Sequence, residues 1–188
     1  NTLSKRELLS GFAEMIKHGL IKDKAYYERL KLANYQALAP EEVYRSIEIK
    51  NEVVTADPLE KGLRKILNFG HTIGHAVESY ALTNSKKPLT HGEAIAIGMV
   101  CEAHLSAKYC NLAQNELAEI SKYILSIYPK YVIKEKSFET LLTLMQSDKK
   151  NEDGHIMFSL LDQIGECAFN CRVTKEDILN SLTYYNNL

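Results

Sequence analysis

The chain has 188 residues, 45% of them hydrophobic, which is enough to enclose one apolar core. Its 23 Lys and Arg residues nearly balance 24 Asp and Glu residues, and a formal net charge of -1 argues against a nucleic acid or another polyanion as partner. The longest apolar run, residues 94–101, is far shorter than the ~20 residues that span a membrane, so we expect no transmembrane segment.

Apolar residues recur at helical spacing over most of the chain. Several predicted helices begin at capping signals, namely Ser4 with Glu7, Asp23, and Thr174. Pro40 marks another start, because proline is favoured at the first helical position. In chain order, the predicted helices cover residues 5–20, a short stretch after residue 23 that includes Tyr26, Tyr27 and Leu30, and then residues 40–56, 62–80, 91–109, 114–128, 137–146 and a stretch after residue 174.

Small residues mark two of these helices. Gly70 and Gly74 weaken the helical pattern of residues 62–80 and suggest that a neighbouring element or a ligand approaches the backbone closely. Residues 84–90 are polar and predict a loop. The alanine-rich segment 91–109 has almost no polar face, so we expect it to be the buried centre of the domain.

A β-hairpin is predicted near the C-terminus. Residues 155–161 and 166–169 have the composition of short strands, and residues 162–165 between them predict a turn. The expected fold is therefore mainly α, a multi-helix domain over residues 1–188 with one small hairpin.

The four cysteines are Cys101, Cys110, Cys167 and Cys171, too few and too scattered for a disulfide framework. We expect them to be reduced and structural, which suits a cytoplasmic protein. A zinc site built on Cys167 and Cys171 would need two further ligands, and only His155 lies nearby in the sequence.

Potential metal ligands occur inside or at the start of apolar helices: Glu14, His71 with His75, and His91. Any one of them alone is usually a hydrogen-bonded core residue. A carboxylate in the apolar setting of Glu14 needs a cation or protonation, and Lys17 three residues on is one candidate partner. A divalent metal is the other, because two imidazoles and one carboxylate form a familiar catalytic zinc set.

His71 and His75 are four residues apart, so a helix places both rings on one face, where they could bind the same ion. The Glu of the HExxH protease motif is missing, which excludes that class of enzyme. One of the two could instead act as an acid, a base or a proton carrier beside the metal. Spacing alone leaves the choice open.

Four motifs in register carry a resemblance to a known family. They are SGFAEMIKHGLI at residues 10–21, GLR at 62–64, LNFGHTIGHA at 67–76 and HGEA at 91–94. Over residues 3–106 the chain resembles 3-dehydroquinate synthases, and the similarity is weaker in residues 148–150 and the following hairpin.

The resemblance implies that Glu14, His71 and His91 bind Zn²⁺ or Co²⁺. It places His75 in the second sphere, where an imidazole of near-neutral pKa could carry a proton. Further catalytic or substrate-binding roles are implied for Lys17, Asn68, Lys50, Glu60, Arg64, Lys149 and Lys150. Without the resemblance, most of these cations would be expected to be solvated surface charges.

The implied activity is that of a carbon-oxygen lyase of the shikimate pathway, which converts 3-deoxy-D-arabino-heptulosonate 7-phosphate to 3-dehydroquinate and phosphate with NAD as a regenerated cofactor. The nine glycines of the chain never form GxGxxG. We therefore expect NAD to bind an N-terminal domain outside this chain, the fragment to be inactive alone, and the parent to be a homodimer. The alternatives are a related sugar-phosphate cyclase, a metal-dependent polyol dehydrogenase, or a helical metal-binding module without catalysis.

Overall fold

The computed structural model describes residues 3–147 and 156–188. Its helices are α1 (Lys5–Lys22), α2 (Lys24–Leu32), α3 (Pro40–Ala56), α4 (His71–Asn84), α5 (His91–Tyr109), α6 (Gln114–Ile127), α7 (Phe138–Gln146) and α8 (Lys175–Asn187). Short 3₁₀ helices cover Leu63–Asn68 and Glu135–Ser137, and the strands are β1 (Met157–Gln163) and β2 (Glu166–Arg172). The predicted mainly α fold with a C-terminal hairpin is confirmed.

The predicted capping signals do start helices. Ser4 and Glu7 form a capping box, in which the Glu7 N–H donates to Ser4 Oγ at 3.3 Å and the Ser4 N–H donates to Glu7 Oε2 at 2.7 Å. The Asp23 side chain accepts from the Tyr26 N–H at 2.9 Å and so caps α2 directly after α1 ends. Because these caps satisfy otherwise orphaned N–H groups, they fix where α1 and α2 begin.

Helix α5 is the centre of the core, as predicted. Nearly every residue from 92 to 106 is buried, and α5 packs against α1, α4, α6, α8 and β1. A second capping box, between Thr90 and Glu93, begins the helix. Arg6 of α1 pairs with Glu93 at 2.6 Å, which ties the start of α5 to the start of α1.

The predicted continuous helix over residues 62–80 is wrong. The chain forms a 3₁₀ helix, breaks at Gly70 with a positive φ of 78°, and begins α4 at His71. A Cβ added at Gly98 of α5 would overlap the Gly70 carbonyl oxygen, so the two helices meet backbone to backbone at this break. The close packing predicted at Gly74 is confirmed, because a Cβ there would lie 2.8 Å from Ile95 Cδ1.

The hairpin is antiparallel, with two irregularities in its register. Its turn is shorter than predicted, because β1 continues to Gln163, and β2 continues past the predicted end to Arg172. Gly165 adopts a φ of 96° in the turn, and its N–H donates to the Leu20 carbonyl at 2.7 Å. The hairpin is thereby anchored to the end of α1. His155, the predicted start of the first strand, lies outside the described residues.

The cysteine thiols are free in the described part of the chain, and Cys101 is buried in α5. Among the described residues the cysteines belong to no group of three or more potential metal ligands, and His155 lies outside those residues. No described helix combines the length and the hydropathy that crossing a bilayer would require.

Candidate metal centre

A cavity of about 420 Å³ lies where α1, α3, the 3₁₀ helix Leu63–Asn68, and the first turns of α4 and α5 meet. Its lining residues are Glu14, Lys17, Lys50, Glu60, Arg64, Leu67, Asn68, His71 and His91. All of them except Leu67 are candidates from the sequence. Residues from five separate elements thus converge on one site.

Glu14 lies at the centre of the candidate ligands. Its Oε1 atom is 3.4 Å from His71 Nε2 and 3.6 Å from His91 Nε2. This oxygen is buried and accepts no hydrogen bond from any residue of the described ranges. Tetrahedral coordination with bonds of about 2.1 Å separates neighbouring ligand atoms by about 3.4 Å. The two distances from the carboxylate oxygen to an imidazole nitrogen are therefore those expected of ligands that share one divalent metal.

The other Glu14 oxygen, Oε2, accepts a hydrogen bond from Lys17 Nζ at 2.8 Å. Lys17 is itself 3% exposed, whereas the Glu14 side chain is 29% exposed, so the ion pair is part-buried. Both partners considered for the buried carboxylate are thus accommodated, with Lys17 on one oxygen and space for a metal beside the other.

Both imidazoles are oriented through their Nδ1 atoms. His71 Nδ1 lies 3.1 Å from the Phe69 carbonyl oxygen, and His91 Nδ1 lies 3.1 Å from Glu78 Oε2. When Nδ1 donates to these acceptors, the Nε2 lone pair of each ring faces Glu14, which is the tautomer that a metal requires. Sequence reasoning missed Glu78. Its position on α4, seven residues after His71 and three after His75, was the available signal.

His75 lies beside the two candidate ligands. Its ring centroid is 5.0 Å from that of His71 and 5.7 Å from that of His91. The three imidazoles can place one nitrogen each within 4.8 Å of one another, so a three-histidine set is a second possible metal site. His75 also lines a neighbouring cavity of about 190 Å³ between α4 and α7. Both possible ligand sets contain His71 and His91. The third ligand is Glu14 in one set and His75 in the other.

The charges of the site favour an ionised carboxylate. Burial opposes ionisation of Glu14, but the imidazoles of His71 and His91 and the ammonium of Lys17 outweigh it and hold the pKa of Glu14 well below its usual range. Burial lowers the pKa of His71 despite the nearby carboxylate. Contact with Glu14 raises the pKa of His91, so a proton is the natural competitor for a metal at that ring.

The loop between α3 and α4 organises the polar wall of the cavity. Asn68 donates to Glu60 Oε1 at 2.8 Å, and Glu60 has a positive φ of 55°. Arg64 donates to the Pro58 carbonyl at 2.8 Å. Asp57 accepts from the backbone N–H groups of Lys61, Gly62 and Arg64 at 2.7 to 3.1 Å. The sequence predicted only that the third helix ends at residue 56, directly before Asp57, whereas the structure makes Asp57 the organiser of this wall.

Three of the five lysine and arginine side chains predicted to act in the site lie in the described part of the structure. Lys17, Lys50 and Arg64 line the cavity. Lys149 and Lys150 lie outside the described residues, as do the other residues from 148 to 155.

Comparison with known proteins identifies the relatives of this chain. The model of the family described as "3-dehydroquinate synthase C-terminal" matches residues 11–151. The 3-dehydroquinate synthase of Parabacteroides distasonis is 44% identical over 98% of this chain, and that of Thermodesulfovibrio yellowstonii is 38% identical over 94%. These alignments cover 53% and 50% of the two proteins, so the chain spans about half the length of the curated relatives it matches.

Two solved structures that share this fold are named as synthases. The 2-epi-5-epi-valiolone synthase of Streptomyces hygroscopicus, with NAD⁺ and Zn²⁺ bound, superposes with a TM-score of 0.75 at 24% identity over 99% of this chain and 53% of that one. A 2-deoxy-scyllo-inosose synthase complexed with carbaglucose-6-phosphate, NAD⁺ and Co²⁺ gives a TM-score of 0.76 at 24% identity over 95% of this chain and 51% of that one. At this identity the likeness establishes the fold.

Proposed function

Because this chain belongs to the 3-dehydroquinate synthase family, we propose that it is the metal- and substrate-binding half of an enzyme that converts 3-deoxy-D-arabino-heptulosonate 7-phosphate to 3-dehydroquinate and phosphate. One observation carries the proposal. The buried Glu14 Oε1 lies 3.4 and 3.6 Å from two imidazole nitrogens, in a cavity that also presents Lys17, Lys50 and Arg64. A metal beside several cations suits a substrate with a carboxylate, a phosphate and neighbouring hydroxyls.

Glu14, His71 and His91 are the proposed ligands of Zn²⁺ or Co²⁺. Glu14 is preferred to His75 because its Oε1 is buried with no hydrogen bond from the described residues, and a cation would satisfy that charge. When bound, the metal would supply a Lewis acid that lowers the pKa of a substrate hydroxyl and polarises a carbonyl.

The side chains around the metal position the substrate. Lys50 and Arg64, together with Lys149 and Lys150 from the segment after α7, would hold the anionic ends. The hydrogen-bonded pair of Asn68 and Glu60 offers a donor and an acceptor to a hydroxyl. Fixed orientation of this kind lowers the entropic part of the barrier.

His75 is the proposed proton carrier. Its ring lies next to both His71 and His91 and borders the second cavity, so it can take a hydroxyl proton from the site and pass it outward. Lys17, which holds the other Glu14 oxygen, keeps that carboxylate from competing for the same proton.

NAD is assigned to the part of the enzyme that lies outside these 188 residues. The relatives are about twice as long as this chain, and the chain has no Gly-rich nucleotide-binding turn. The two halves together would form the active site, and the full-length enzyme would act as a homodimer.

A related sugar-phosphate cyclase is the second candidate, because both structural neighbours described above are synthases named for other products. The 44% identity to a 3-dehydroquinate synthase, against 24% to either neighbour, favours the first candidate.

Phosphate release measured on the full-length protein tests the proposal. With Zn²⁺ and NAD⁺ we expect turnover of 3-deoxy-D-arabino-heptulosonate 7-phosphate at about 1 to 10³ per second, typical of enzymes. The 188-residue chain alone should release no phosphate until the missing half is added. Turnover only of a different sugar phosphate would favour the second candidate. Stoichiometric metal binding without turnover of any of them would indicate a non-catalytic module.

A further inference from the structure

Helix α4 begins without a side-chain cap from its N-cap residue. Its N-cap residue is Gly70, in the left-handed region at φ 78°, and has no side chain to accept a hydrogen bond. His71, a proposed metal ligand, is the first residue of the helix. The orientation of its imidazole therefore depends on how this uncapped turn is held.

A carboxylate from α5 holds the turn instead. Glu102 Oε2 accepts from the Gly70 N–H at 2.6 Å, and Oε1 accepts from the Ile73 N–H at 3.0 Å. Glu102 is fully buried at 0% exposure, on the same helix that begins with His91. A negative charge is also favourable at the start of a helix. The side chain thus fixes the first turn of α4 to α5, in the place of a local cap.

The Phe69–Gly70 peptide links this carboxylate to the metal ligand. Its N–H donates to Glu102 Oε2, while its carbonyl oxygen lies 3.1 Å from His71 Nδ1. A peptide whose N–H is bonded to a carboxylate is polarised, and its carbonyl becomes a stronger acceptor. The imidazole is then favoured as the Nδ1–H tautomer, with Nε2 free to face Glu14.

We propose that Glu102 is a positioning residue for His71, acting through the Phe69–Gly70 peptide to fix the orientation and the tautomer of a metal-binding imidazole. The inference rests on the proposed metal site and adds to it a residue outside the cavity. Removal of such outer partners typically costs 10- to 100-fold in metal affinity.

The test compares Glu102→Gln with Ser106→Ala in the full-length protein. Gln keeps the shape of the side chain but turns an NH₂ group toward one of the two N–H donors. Ser106 is equally buried on α5. Its hydroxyl donates to the Glu102 carbonyl and accepts from the Leu161 N–H, and neither bond involves the Phe69–Gly70 peptide. It controls for the loss of a buried hydrogen bond in the same helix.

Titration with Co²⁺, followed by visible absorption, gives affinity and ligand geometry without any assay of activity. We expect Glu102→Gln to bind Co²⁺ about 10- to 100-fold more weakly, with shifted absorption bands. Ser106→Ala should keep the affinity and spectrum of the parent. Equal affinity in Glu102→Gln, or equal losses in both variants, would overturn the inference. A parent protein that binds no metal would instead remove the proposed site, and this inference with it.

A measurement on the unaltered protein covers the case in which Glu102→Gln fails to fold. In the Zn²⁺-loaded protein, nitrogen NMR of the His71 ring should show metal at Nε2 and a slowly exchanging proton on Nδ1. Coordination through Nδ1 would overturn the inference.

Discussion

Lys50 illustrates how the cavity assigns a role to an otherwise ordinary side chain. It is exposed on α3, yet it lines the cavity with Glu14 and His71. A hydrogen bond to a charged group contributes about 1.5 to 3 kcal/mol, or roughly 10- to 150-fold. We expect Lys50→Met to lower kcat/KM by that factor in the full-length protein. Steady-state kinetics with Lys122→Met, an exposed lysine of α6 away from the cavity, is the control, and equal effects would contradict the role.

His18 makes the fold sensitive to acid. The ring is 3% exposed and its Nδ1 lies 2.8 Å from Ser46 Oγ. Burial, and then the charge of Lys17, lower the pKa of His18 to about 3. Below the ordinary histidine pKa of about 6.5, His18 binds a proton in the unfolded chain but not in the folded chain. Stability from this residue is therefore unaffected above that pH and falls between about 6.5 and 3, by up to about 1.4 kcal/mol per pH unit.

Urea unfolding at several pH values, with and without His18→Asn, measures this effect. Asn can keep the contact to Ser46 but has no titrating ring. We expect the free energy of unfolding of the variant to depend less steeply on pH between 6 and 4. The same slope in both proteins would mean that His18 does not titrate on unfolding. Other groups cancel in the comparison because both proteins contain them.

At the scale of elements, the contact between α4 and α5 is made by glycines. A Cβ on Gly98 would overlap the Gly70 carbonyl, so Gly98→Ala must push the two helices apart. Overpacking of this kind costs about 1 to 3 kcal/mol. Because α4 and α5 begin with His71 and His91, we expect metal affinity to fall as well.

Gly11→Ala is the matched control. Gly11 lies in α1, and an added Cβ there would meet nothing within 4 Å among the described residues. Alanine in such a helical position should stabilise the protein by roughly 0.5 to 1 kcal/mol. Urea unfolding and metal titration of both variants separate the two outcomes. A Gly98→Ala protein as stable as the parent would contradict the backbone contact.

The sequence predicted the helices and strands better than it predicted the breaks and contacts between them. Capping boxes and apolar periodicity are local signals, and they located α1, α2 and α5. The break at Gly70 was not predicted, and the residue packed against it, Gly98, lies in another helix, where no local signal connects the two. The same holds for Glu102, whose partners are backbone groups of another helix. Resemblance supplied the cavity residues, whereas spacing alone could not choose between His71 and His75.

At the scale of the molecule, five elements contribute residues to a single cavity. The starts of α4 and α5 deliver His71 and His91, and the middle of α1 delivers Glu14. Such a site is fixed by the packing of the whole helical assembly around α5. The proposed metal centre therefore needs only residues of this chain, whereas the proposed reaction also depends on NAD, which we assign to the rest of the full-length protein.

Metal content per chain tests the central claim most directly. Mass spectrometry should find one Zn²⁺ or Co²⁺ per chain in the parent and in His75→Ala, but none in Glu14→Ala or His91→Ala. This pattern is expected because the proposed ligands are Glu14, His71 and His91. Full metal content in Glu14→Ala together with its loss in His75→Ala would contradict the account and assign the site to the three histidines. Unchanged metal content in His91→Ala would contradict both ligand sets.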